Sequence, residues 1–298
     1  MKKILKGIGI GLIGLLGLVI LAIAVLNITT QSRLNKVHEI PLDLPNLSSD
    51  AAAVERGKHQ AAIRCVECHG ANLGGSVVFS DPVIGDIVAP NIAAGVDGDG
   101  VLLSDAEFIR AIRHGVDRNG RALLVMPSKA YFFLNDQDLN DIIAYVRSLP
   151  PVEKSPAPAN VTLIGRALVG AGAFGEVLSV EIVDHAAARP AAVEAGPTAE
   201  YGNYLVTTIG CQDCHGADYT GGKSPDPNAP PAPDLTRSGK WGNWTGADFI
   251  KTIRTGRTPD DRLLSPLMPW IYYGQMTDDE LNAIWAYLQS LPGASVQK

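Results

Sequence analysis

Cys65-Val66-Glu67-Cys68-His69 and Cys211-Gln212-Asp213-Cys214-His215 hold all four cysteines of this 298-residue sequence, and a glycine follows each histidine. Downstream of both, the chain repeats itself. Phe108-Ile109-Arg110-Ala111-Ile112-Arg113-His114-Gly115 answers Phe249-Ile250-Lys251-Thr252-Ile253-Arg254-Thr255-Gly256, and Met126-Pro127 answers Met268-Pro269. Ala144-Tyr145-Val146-Arg147-Ser148-Leu149-Pro150 then answers Ala286-Tyr287-Leu288-Gln289-Ser290-Leu291-Pro292. The offset is 146 residues at the cysteines and 142 at the methionines and closing prolines, the signature of a duplicated domain with a small loop difference.

The elements around these anchors read as helices. Ser104 with Glu107 and Thr277 with Glu280 form capping boxes, and Thr245 with Asp248 and Asn135 with Asp138 are looser helix starts of the same kind. Leu139, Ile142, Ile143, Val146 and Leu149 have the spacing of one buried helix face, as do Leu281, Ile284, Trp285, Leu288 and Leu291. Short helices are expected before each cysteine pair, with Gly57 and Gly202 as points of close approach. The proline- and alanine-rich stretch from Pro150 to Pro197 reads as a linker with some order, its apolar Val161–Val180 forming a short helix packed on one domain. Asp97-Gly98-Asp99-Gly100 has the look of a partial calcium loop, but Val101 and the missing twelfth-position carboxylate argue against one.

C-x-x-C-H is the attachment signal of c-type haem: two thiols one turn apart meet two vinyl groups, and the adjacent imidazole becomes the proximal iron ligand. A zinc site would need the two distant pairs to share one metal. A thiol redox pair would not call twice for histidine in the next position. Cys65, Cys68, Cys211 and Cys214 are therefore the expected attachment points of two covalently bound haem c groups, and His69 and His215 the proximal ligands. Their second ring nitrogens need acceptors, for which the carbonyls of Pro90 and Pro233, in matching loops, are candidates. Beyond the initiator the sequence holds only Met126, Met268 and Met276. Met126 and Met268 are equivalent in the repeat and are the expected sixth ligands, a soft thioether suiting a low-spin haem iron. Met276, before the Thr277 cap, reads as a hydrophobic staple to Leu281. His59, matched by Tyr204, His114, matched by Thr255, and His185 in the linker are weaker ligand candidates.

At the N-terminus, Lys2, Lys3 and Lys6 precede twenty uncharged residues, Gly7–Leu26, a run that at roughly 1.5 Å per residue spans a bilayer core of about 30 Å. The alternative is a cleaved signal ending near Ala22-Ile23-Ala24, although the run is long for one. The lysines set the N-terminus in the cytoplasm and the remainder on the periplasmic side. Gly7 and Gly11 would let a partner helix approach. Without the anchor lysines, 22 basic face 31 acidic residues, a formal charge of −9. That sign disfavours nucleic acid and favours a redox partner with a basic docking patch.

Both halves, with helix, C-x-x-C-H, loop, helix, Met-Pro and terminal amphipathic helix in order, resemble class I cytochrome c domains. The tandem arrangement resembles membrane-anchored bacterial dihaem cytochromes that serve respiratory complexes and periplasmic dehydrogenases. The resemblance implies an all-α fold: a transmembrane anchor over 1–27, a tether over 28–50, cytochrome c domains over 51–150 and 198–294, and a linker over 151–197 between them. It implies an electron carrier relaying between a dehydrogenase or respiratory complex and an acceptor, or a cytochrome subunit of such a complex. A dihaem enzyme is the rival reading. It needs a haem with an open position or a fifth cysteine, and a methionine is available to each haem here.

Overall fold

The computed structural model describes residues 2–40, 45, 47–95, 103–153, 155–190, 192–222 and 230–293. The Asp97–Gly100 stretch weighed as a calcium loop lies outside them. Helix α1 (Lys2–Asn35) is the one described helix long and apolar enough to cross a membrane, and its most apolar window has a mean hydropathy of 2.9 and no buried residue. The sequence reading ends the anchor at Asn27, but the helix runs on for two turns. Contacts hold that extension: Asn27 Nδ2 donates to Leu163 O (3.2 Å), Thr30 is buried, and Arg33 pairs with Glu181.

The first copy comprises α2 (Ala51–Arg64), the one-turn α3 (Val66–His69), strands β1 (Ser76–Asp81) and β2 (Gly85–Ala89), α4 (Asp105–Ile109) running into a π-helical turn (Arg110–His114), α5 (Ser128–Tyr131) and α6 (Asp136–Ser148). The linker carries β3 (Asn160–Val161), α7 (Leu163–Gly170) and a 3₁₀ turn (Ser179–Glu181). The second copy follows with α8 (Ala199–Thr208), α9 (Cys211–His215), α10 (Gly246–Thr255), α11 (Trp270–Tyr273) and α12 (Asp278–Ser290). The expected caps are present, and Thr245–Asp248 closes as a full capping box. The helical frame carries one addition, an antiparallel sheet ordered β1-β2-β3 with a bulge between Val77 and Phe79. Its hairpin turns on Asp81, whose carboxylate accepts from the backbone of Val83 (2.7 Å) and Ile84 (2.9 Å). The linker helix α7 packs both on the first copy, at its β1–β2 hairpin, and against α1.

In each copy the closing helix crosses the first helix at a glycine. A Cβ on Gly57 would lie 1.7 Å from Asp141 O, and one on Gly202 would lie 1.9 Å from Ala283 O, the equivalent carbonyl. Backbone meets backbone there, and apolar residues of α6 and α12 fill the two cores on either side.

The two copies dock on each other about a pseudo-two-fold. His59 Nε2 meets Glu280 Oε2 (2.8 Å), while the repeat-equivalent Tyr204 hydroxyl donates to Asp138 (2.5 Å). Each copy thus lends its first helix to the first turn of the other's closing helix, the pattern of an isologous contact. Ile63 joins the second core, Arg64 donates to Thr208 Oγ1 (2.9 Å), and Lys129 pairs with Asp213 (3.2 Å). Burial pushes the Glu280 carboxyl up, but hydrogen bonds from His59 and from the Thr277 cap outweigh it and hold the group below its ordinary value. A depressed carboxyl contributes stability above its unfolded pKa, and the contribution is lost as pH falls through the folded value. Below about pH 4 the docking is therefore expected to weaken. Glu280→Gln keeps a cap acceptor, removes that acid dependence and costs about 1–3 kcal/mol. Urea unfolding of both proteins across pH, read as their difference, checks it.

Candidate functional site

Each cysteine pair lies on a single turn. His69 N donates to Cys65 O (2.9 Å), and the turn ends at Gly70, whose φ of 78° suits a residue without a Cβ. The chain then folds back so that Gly75 N donates to His69 O (2.8 Å) and Ile92 N to Leu73 O (2.9 Å). The second copy repeats this with Gly221 N on His215 O (2.9 Å) and Leu235 N on Tyr219 O (2.7 Å). These bonds bring the proline loops against the histidines. His69 Nδ1 donates to Pro90 O and His215 Nδ1 to Pro233 O, both at 2.8 Å. A carbonyl only accepts, so the proton sits on Nδ1 and Nε2 keeps its lone pair. Burial pushes both imidazoles down in pKa against the opposing pull of the carbonyls, which keeps them neutral. A buried, oriented, neutral imidazole is what an iron ligand requires.

The thiols are unbridged, and burial raises them: Cys65 to about 12, Cys68 to about 11 and Cys211 to about 12. Catalytic thiol pairs are shifted the other way. Among the described residues no three His, Cys, Asp or Glu side chains cluster as a metal cage. Two thiols and one imidazole per copy, beside an apolar core, fit a covalently attached haem. Cys65 and Met126 border the first core, and Cys211 and Met268 the second, so the repeat-equivalent residues come together copy by copy.

The two Met-Pro bends superpose in detail. Pro127 and Pro269 share φ near −80° and ψ of 47°, and the carbonyls of Met126 and Met268 accept from Ser128 N (2.8 Å) and Trp270 N (2.7 Å). Met276 is fully buried among the second core's residues. A feature the sequence reading missed is Tyr131, whose hydroxyl donates to Arg64 O (2.7 Å), answered by Tyr273 on Ile209 O (3.1 Å). Each ties the helix after the methionine to the residue before the first cysteine or just ahead of it. The signal was in the repeat, a tyrosine five residues after each methionine. The first copy also wears a strap from the linker. Ser179 Oγ donates to Met126 O (2.7 Å) and Val125 N to Val177 O (2.8 Å), with Val125 held at φ 71°. His185 contacts His114 (2.9 Å) and fixes the strap's far end. His114 thus serves packing: burial first, then the neighbouring His185, lowers it to about 4. His59 serves the docking face.

The cytochrome c family model matches residues 54–150 and again 199–292. The gluconate 2-dehydrogenase cytochrome c subunit of Pantoea cypripedii is 29% identical over 80% of this chain and 60% of its own length. The fructose dehydrogenase cytochrome subunit of Gluconobacter japonicus is 26% identical over 85% and 55%. A diheme cytochrome c-type protein of Cereibacter sphaeroides is 24% identical over 76% and 82%. The chain therefore spans little more than half the length of the two dehydrogenase subunits. With both cysteine-bearing halves matched, the chain belongs to the cytochrome c family, electron carriers that hold haem c covalently, and carries a cytochrome c domain in each of two regions.

Proposed function

We propose that this chain is a membrane-anchored dihaem relay, passing electrons one at a time on the periplasmic face between a dehydrogenase or respiratory complex and an acceptor. The observation that carries it is the twice-built clamp, two thiols beside a buried imidazole whose Nδ1 is locked on a proline carbonyl at 2.8 Å. In this reading Cys65 and Cys68 hold one haem and Cys211 and Cys214 the other. His69 with Met126 would hold the iron of the first, and His215 with Met268 that of the second. The haem, when bound, would supply a one-electron iron couple, whose potential a thioether ligand would raise relative to two nitrogen ligands. The proline carbonyls fix the histidine tautomer, and Met126 and Met268 would occupy the remaining ligand position so that small molecules find no open site.

The anchor is α1, with its three lysines on the cytoplasmic side. The docking partner is a redox protein with a basic patch, given the −9 charge of the external part. The relatives' names favour a cytochrome subunit of a sugar or alcohol dehydrogenase as the specific form of this role. Mixing the ferric protein with cyanide and with peroxide tests the carrier reading: slow binding and no turnover support it, and rapid peroxide consumption favours an enzyme.

The strap makes the two centres unequal. Ser179→Ala removes one hydrogen bond from the Met126 carbonyl, worth about 1 kcal/mol, so cyanide should enter the first haem roughly five- to tenfold faster. The second haem, whose Met268 bend has no linker contact of this kind among the described residues, should be unchanged. Stopped-flow mixing separates the two phases.

A further inference from the structure

The linker helix α7 is wedged between the outer end of α1 and the tip of the β1–β2 hairpin. A Cβ on Gly170 would lie 2.5 Å from Thr30 Oγ1 and 2.9 Å from Leu26 O, and one on Gly165 would lie 2.2 Å from Ile84 O. Glycine at these two positions lets α7 touch both neighbours. Thr162 Oγ1 bonds Val83 O, Thr162 N donates to Ile84 O (3.0 Å), and Asn27 caps the arrangement through Leu163 O (3.2 Å). Within α7, Gly165, Ala167 and Val169 are thereby buried.

The start of α7 is left apolar and open. Leu163 is 49% exposed and Ile164 37%, and Val83 on the hairpin tip, whose carbonyl accepts from Thr162 Oγ1, is 57% exposed. The helix start and the hairpin tip thus present one apolar rim. Its height is set by α1: α7 lies alongside Leu26 to Thr30, where the apolar run Gly7–Leu26 gives way to polar residues. A helix long enough to span a bilayer leaves it at that level.

We infer that α7 and the hairpin tip form a membrane-surface platform, with Leu163, Ile164 and Val83 immersed in the outer leaflet's interfacial zone of a lipid bilayer. The inference rests on α1 being a membrane anchor. Continuity with the spanning helix chooses lipid over a protein partner as the occupant, since a rim fixed at the end of the apolar run meets the headgroup and upper acyl region without further motion. An apolar face on a surface helix enters that zone to a depth of roughly 5–10 Å. The platform would hold the first cytochrome c domain at a fixed tilt above the membrane, while the second is carried through the docking face.

The full-length protein, reconstituted in phosphatidylcholine vesicles containing phosphatidylcholine with a diazirine in its acyl chain, is irradiated, digested and mapped by mass spectrometry. Expected are lipid adducts within residues 7–26 and also at Val83 and residues 163–164. The latter should exceed, by about tenfold, those at Leu263 and Ile271, exposed apolar residues of the second copy remote in sequence from α1. Adducts on 7–26 with none above that background at 83 and 163–164 would overturn the platform while leaving the anchor intact. Absence of adducts on 7–26 would remove the anchor reading and the platform with it.

Discussion

Replacing Met126 by alanine is expected to open the first haem and leave the second six-coordinate. The expectation comes from the partition of the two methionines between separate cores, each bordered by its own cysteine pair. Loss of the thioether removes the ligand that favours ferrous iron, so the potential of that haem should fall by on the order of 100 mV, well within the ~0.8 V that axial ligands command. Half of the ferric haem should then bind cyanide rapidly, and half of the thioether-to-iron absorption should vanish. Met268→Ala should do the same to the other half. Met276→Ala is the control with an opposite signature. The sequence reading makes it a staple contact, and its complete burial in the core raises the expected cost to about 2–5 kcal/mol of stability. Both haems should keep six ligands. Redox titration with cyanide binding on the three variants checks the assignment, and loss of the sixth ligand in Met276→Ala would contradict it.

Gly57→Ala and Gly202→Ala are expected to be the most damaging single-methyl changes in the two domains. Each new Cβ would enter the space of a backbone carbonyl, at 1.7 Å and 1.9 Å, with a tyrosine Cβ at 2.8 Å behind it. No side-chain rotation relieves a clash with backbone. The helices α2 and α6, or α8 and α12, must separate along their whole crossing. That loss of packing should exceed the usual 1–3 kcal/mol of an overpacked core and unfold the affected domain selectively. Calorimetry of each variant should show one transition lowered or lost and the other retained, apart from the contribution of the docking face.

The sequence carries the chemistry of this protein more legibly than its architecture. The cysteine pairs, histidines and methionines are rare residues that recur in the same order in both copies, and the closing helices announce themselves through caps and one apolar face. Val77, Val78 and Phe79 gave no strand signal because their hairpin is exposed, so no alternation of buried and open positions marks it. The continuation of α1 through Thr30 to Asn35 depends on the linker lying across it, a contact between residues 136 or more positions apart. The docking face was hidden for a related reason. His59 and Tyr204 differ in type, as do Glu280 and Asp138, and only the fold reveals that the two pairs do the same work. The strap on Met126 likewise comes from the linker, where composition carries no hint of its target.

The central claim is that each cysteine pair holds its own haem. Pyridine haemochrome assay of the denatured, extracted chain, normalised to amino-acid analysis, tests it most directly, since thioether bonds survive unfolding and acid extraction. The account predicts two haems per chain, falling to one when Cys65 and Cys68 are replaced by alanine. A count of one or none in the unaltered protein would contradict it.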